Sequence, residues 1–176
     1  LLKKEFVSSS INSGLTSASY LINKQQVQSE IFFNEINLLI KNTQKIKGKI
    51  YFFGNGASAS FSNHMALDWS KNGGVLALSL SDSSMITALA NDYSYDEAFV
   101  EFMKINKIST DDLVISTSSS GNRKNIVNVL NYCRQNKITS IGLSGLNSGN
   151  KTEEIANYSL FVPSKTYGMV ECIHQI

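Results

Sequence analysis

From Lys49 onward, short apolar runs alternate with longer stretches of helical periodicity, and no other feature of the 176-residue chain restricts the fold as much. The apolar runs are Lys49–Phe53, Gly74–Leu80, Leu113–Ser116, Ile138–Leu143 and Tyr158–Val162. Helical segments fall between them, around Ser58–Lys71, Ser84–Ala90, Asp96–Ile105, Arg123–Asn136 and Lys151–Ala156. Each run is nearly continuous in apolar character rather than alternating, as suits a strand buried on both faces. Strands joined through helices pair in parallel by right-handed crossovers, with helices covering both sides. The expected class is α/β, three layers built on a five-stranded parallel sheet.

Upstream, residues from about Lys3 to Ile46 contain no proline and a single glycine, Gly14. Phe6, Ile11, Leu15, Ile31, Phe32, Ile36, Leu39 and Ile40 recur there at helical spacing. The pattern predicts two helices broken near Asn23–Gln25. They form a helical N-terminal extension, residues 1–46, to an α/β core of residues 47–176 in one domain. The second helix carries an apolar stripe wider than one sheet face needs, which points to packing on another subunit.

Bulk properties exclude several partners. The formal net charge is +2 with Lys and Arg scattered, too weak a field for nucleic acid or a membrane surface. Any anion must therefore be held by local geometry. Cys133 and Cys172 lie far apart and form no C-x-x-C, as in a reduced, cytoplasmic protein. No apolar run approaches the roughly 20 residues that span a bilayer, and no signal-peptide pattern is present. Leu1 in place of Met, and a last helix still running at Ile176, suggest that both ends are cut.

Two loops point to an anion. Gly54-Asn55-Gly56-Ala57-Ser58 follows the first core strand and opens a helix. Ser116-Thr117-Ser118-Ser119-Ser120-Gly121-Asn122-Arg123 does the same after the third. Glycines let the backbone approach a ligand, helix starts offer unpaired N–H groups, and Arg123 adds a bidentate cation. Either loop alone reads equally as a capped turn. In a flavodoxin-like order 2-1-3-4-5 the first and third strands are neighbours that the chain leaves in opposite directions. Both loops then face the crevice at that switch point.

His64 and Asp68 are four apart and share a helix face, a metal-binding or proton-transfer pair, or else a solvated ion pair. Asn91-Asp92 is read as a loop at the same end of the sheet, and Glu171 and His174 as a second helical pair. Trp69, Tyr95 and Tyr167 are read as packing residues and Lys165 as a solvated charge.

The runs FGNGASASFSNHMALDWS, ISTSSSGNRKNIV and GMVECIHQI, with Ala90-Asn91-Asp92, resemble the SIS (sugar isomerase) domain family, and within it the bacterial phosphoheptose isomerases. The resemblance covers nearly the whole chain and implies the three-layer SIS-type fold. It further implies a homotetramer with sites between subunits, often with zinc. The implied reaction is the aldose–ketose isomerisation of sedoheptulose 7-phosphate to D-glycero-D-manno-heptose 7-phosphate through an enediol, for lipopolysaccharide or capsule heptose. By motif, Asn55, Gly56, Ala57 and Ser58 contact substrate, Asn91 and Asp92 its hydroxyls, and Ser118, Ser119 and Ser120 the phosphate. His64 matches the family's metal-binding histidine. Asp68 stands where the family has a glutamate that is both base and metal ligand, and Glu171 where it has a glutamine ligand. The family's general-acid histidine falls about one helical turn past Ile176.

The departures carry physical weight. Asp68 is one methylene shorter than Glu, and near-attack geometry tolerates little error. Glu171 adds negative charge, which favours a divalent cation. Arg123 replaces a family serine and bears on phosphate affinity or sugar choice. Two alternatives stay open, a non-catalytic relative that binds a sugar phosphate or the replication initiator DnaA, and an isomerase of a different sugar phosphate.

Overall fold

The computed structural model of the protein describes residues 4–175. In chain order its elements are α1 (Lys4–Thr16), β1 (Ser19–Ile22), β2 (Gln25–Val27), α2 (Ser29–Lys45), β3 (Ile50–Gly54), α3 (Ala57–Lys71), β4 (Ala77–Ser79) and α4 (Ser83–Asp92). Then follow α5 (Ala98–Ile105), β5 (Leu113–Ser118), α6 (Lys124–Gln135), β6 (Thr139–Gly145), α7 (Lys151–Ile155), β7 (Tyr158–Val162) and α8 (Tyr167–His174). Lys3, the Phe6 side chain and Ile176 lie outside the described residues and side chains.

All strands join one sheet in the order β2-β1-β7-β6-β5-β3-β4. The five parallel strands among them, counted along the core, read 2-1-3-4-5 as expected. The sheet has seven strands rather than five, because residues expected to break two helices instead form the β1–β2 hairpin. Asn23 and Lys24 both adopt positive φ (48° and 70°), the condition for a tight two-residue hairpin turn. β1 then pairs antiparallel with β7, Ser19 opposite Phe161 and Ile22 opposite Tyr158. The N-terminal extension is thus part of the sheet and not helical throughout.

Alternation along β3 shows why both faces need cover. Tyr51 and Phe53 pack with Val114, Phe99, Phe102, Ile126 and Leu130 beneath α4, α5 and α6. Ile50 and Phe52 pack on the opposite face with Leu113 and Ile141, met by Ala66 and Trp69 of α3 and Ile36 and Ile40 of α2. Every residue of β3 is buried, which the continuous apolar run requires. Burial also holds the Cys133 thiol up at about 12, so that it is an inert core group.

α8 is anchored through Val170, Ile173 and His174, all buried. His174 Nε2–H donates to the Ser144 carbonyl (3.1 Å), and its Nδ1 is buried without a partner. The expected surface pairing with Glu171 is therefore not formed. Burial outweighs the Ser144 contact and holds the His174 ring at about 4, below its ordinary 6.5. An unfolded chain takes up this proton below pH 6.5 while the folded one does not until near pH 4. Stability from this group is complete above pH 6.5 and falls as the pH drops toward 4, by up to about 3 kcal/mol. Urea melts across that range should show the decline in the wild type and a flatter profile in His174→Gln.

Candidate functional site

Parallel pairing of β3 with β5 sets Gly54 level with Thr117, so the chain leaves both strands at the same height. The first loop must then turn at once into α3. A Cβ on Gly54 would come within 2.6 Å of Ser58, and Gly56 sits at φ 59°, ψ −123°, a backbone that side-chain-bearing residues rarely adopt. The Ser58 N–H donates to the Asn55 carbonyl (3.1 Å) and closes the turn.

The second loop is tied down from its far side. Gly121 has φ 66°, and its N–H donates to the Ser118 carbonyl (2.8 Å). A Cβ at Gly121 would collide with the Asn150 side chain. Thr152 donates twice to the Gly121 carbonyl, from its N–H (3.0 Å) and Oγ1 (3.1 Å), while the Gly145 N–H donates to the Ser119 carbonyl (3.0 Å). The loop delivers the chain to the N-terminus of α6, where Arg123 occupies the N-cap position without a side-chain cap. The partial positive charge of that helix end faces the same space.

Side chains join the two loops. Asn55 Nδ2 donates to Asn125 Oδ1 (3.0 Å) and Asn125 Nδ2 donates back to Asn55 Oδ1 (2.8 Å). The Tyr95 hydroxyl donates to the same Asn55 oxygen (2.8 Å). Between the loops lies a cavity of about 630 Å³. Ser118 Oγ, buried in its wall, has no hydrogen-bond partner, a cost that a ligand oxygen would remove. Arg123 and Lys124 stand at the wall with Asp96 and Glu171, and Lys124 Nζ lies 3.7 Å from Asp96 Oδ2.

Of the residues singled out in the sequence, Asn55, Gly56, Ser58, Ser118, Ser119, Ser120, Arg123 and Glu171 line this crevice. Ala57, His64, Asp68, Asn91 and Asp92 do not. Asn91 and Asp92 belong to the last turn of α4 rather than a loop, both exposed, with Asn91 Nδ2 donating to Asp92 Oδ1 (3.0 Å). Tyr95 and Tyr167, expected to pack, are half-exposed at the crevice wall. Asn125 was missed, although it closes the Arg123-Lys124-Asn125 run at a helix start, where amide side chains commonly meet backbone groups.

His64 Nε2 and Asp68 Oδ2 are 3.2 Å apart on α3, with side chains 65% and 43% exposed. Ala57, Phe61, His64 and Asp68 follow one helical stripe that continues from Gly56. Among the described residues no three His, Cys, Asp or Glu side chains gather closely enough to hold a metal ion. The His64, Asp68 and Glu171 set implied for zinc is therefore not assembled within one chain.

Residues 17–145 match the SIS domain family. Phosphoheptose isomerase 2 of Campylobacter jejuni is 32% identical over 165 residues, covering 89% of this chain and 81% of that protein. A phosphoheptose isomerase of Helicobacter pylori is 31% identical over 173 residues, covering 92% and 88%. The structure of phosphoheptose isomerase GmhA from Neisseria gonorrhoeae superposes with a TM-score of 0.78 over 96% of this chain and 86% of that one, at 23% identity, and so shares the fold. Glycine at 121 should prove indispensable to the loop: Gly121→Ala is expected to cost at least about 1–3 kcal/mol, read as a lower urea midpoint at unchanged m-value.

Proposed function

The chain belongs to the phosphoheptose isomerase family of SIS domains, and on that premise we propose that it isomerises sedoheptulose 7-phosphate to D-glycero-D-manno-heptose 7-phosphate. The family makes it a phosphosugar isomerase; the choice of sugar is the finer reading. The observation that carries it is the convergence of two βα junctions on one crevice, where Ser118, Ser119, Ser120 and the α6 N-terminus offer donors to a phosphate. Anchoring the phosphate there would let binding energy position the distant reacting carbons.

α3 supplies the other end. His64 lies six residues beyond Ser58 and Asp68 ten, about 9 and 15 Å along the helix axis, so the pair stands outside the phosphate crevice of its own chain. In the proposed conversion the Asp68 carboxylate carries the carbon-bound proton from C1 to C2, while the oxygen-bound proton passes from O1 to O2. His64 holds the carboxylate through their hydrogen bond.

The pair is exposed in a single chain, and so are large apolar residues of the two helices on this side of the sheet: Leu67 on α3 is 59% accessible and Leu38 on α2 is 60%. A homotetramer burying these faces would cover His64 and Asp68 and exclude water from the proton transfer. Light scattering is expected to give a tetramer, and Leu38→Asp with Leu67→Asp to lower both mass and turnover.

The direct test is turnover of sedoheptulose 7-phosphate by the full-length protein, with and without added divalent cations. Asp68→Asn should lower kcat by about 10²–10⁴-fold and leave sugar-phosphate binding intact. Tight binding without turnover in the wild type would leave a binding module and remove the catalytic reading.

A further inference from the structure

One backbone amide sets the direction of every hydrogen bond in the Asn55, Asn125 and Tyr95 cluster. The Ile126 N–H lies 3.0 Å from Asn125 Oδ1, and an N–H needs an acceptor, so oxygen rather than nitrogen occupies that end of the Asn125 amide. The other end of Asn125 is then Nδ2, which donates to Asn55 Oδ1 at 2.8 Å. Asn55 Nδ2 returns a hydrogen bond to Asn125 Oδ1 at 3.0 Å. The Tyr95 hydroxyl, 2.8 Å from Asn55 Oδ1, faces an atom that carries no hydrogen, so it donates. Both lone pairs of Asn55 Oδ1 are filled, and its amide keeps one N–H uncommitted within the cluster.

We infer that Tyr95 and Asn125 are positioning residues that hold Asn55 as a donor-only contact, so the crevice requires an acceptor oxygen of the sugar at that place. This deepens the sugar-phosphate reading and rests on it. A carbonyl, hydroxyl or phosphoryl oxygen satisfies the N–H; an ammonium group, having no lone pair, does not. Neither positioning residue needs to touch the ligand for this effect. Without Tyr95, one lone pair of Asn55 Oδ1 is free, and the amide, still held by Asn125, is no longer donor-only.

A double-mutant cycle on the full-length protein separates this role from direct contact. Tyr95→Phe should lower kcat/KM for sedoheptulose 7-phosphate by about 3- to 10-fold, the loss of one hydrogen bond. In the Asn55→Ala background the same change should cost nothing further. Asn55→Asp keeps the acceptor and the shape but removes the free N–H, and should fall at least as far as Asn55→Ala. An equal loss from Tyr95→Phe in both backgrounds, or full activity in Asn55→Asp, overturns the inference. Calorimetric Kd values for the same sugar phosphate run alongside. Binding without turnover removes the isomerase reading alone and the cycle is then read on Kd, whereas absence of binding removes both.

Discussion

Parallel pairing of β3 with β5 is the constraint on which the rest of the molecule hangs. Its register brings Gly54 beside Thr117, and both following loops therefore open at one level. A slip of one residue would send Tyr51 and Phe53 to the face that now holds Ile50 and Phe52, against the packing of both cores. The apolar pattern of β3 thus acts at a distance: by choosing which face each aromatic takes, it decides whether Asn55 and Asn125 come within hydrogen-bonding range. Hydrophobic burial positions the polar site, and the paired amides then hold the two loops together.

The crevice attracts an anion by arrangement and not by bulk charge. Lys124 is shared with Asp96. Arg123 is in no ion pair among the described residues, so its cation is available where the α6 N-terminus adds partial positive charge. Hydroxyls on a short, well-tethered loop complete the donors. A net charge of only +2 is compatible with such a site because every contribution acts within hydrogen-bond distance.

Much of this was legible from residue order alone. Continuous apolar runs marked the five parallel strands, and strand–helix alternation called for parallel pairing by right-handed crossovers, with the order taken as that of a flavodoxin-like sheet. The glycine and hydroxyl loops were found by turn chemistry. What escaped was set by tertiary context. Gln25 and Gln26 carry no strand signal, and Asn23-Lys24 lacks the glycine that usually announces a tight hairpin, so β1 and β2 were hidden. Asn91 and Asp92 looked like turn formers yet extend α4. Periodicity gives no means to distinguish a tyrosine that packs from one, like Tyr95, whose hydroxyl bonds across forty residues of chain. His174 shows the same limit, since its partner, the Ser144 carbonyl, lies on a strand far away in sequence.

The hairpin has a consequence for how the molecule is made. β1 and β7 are separated in sequence by the whole α/β core, yet they are adjacent in the sheet, with Ser19 against Phe161. A growing polypeptide emerging from the ribosome can pair β3 with β4 and β5 early, but the seam between β1 and β7 must wait until every strand between them has been made. Until then β1 has only β2 to pair with, and the closing contact spans the greatest sequence separation of any strand pairing in the sheet, the kind that slows folding most. The hairpin that covers the flank of β7 is thus made before the strands it joins and docked after them.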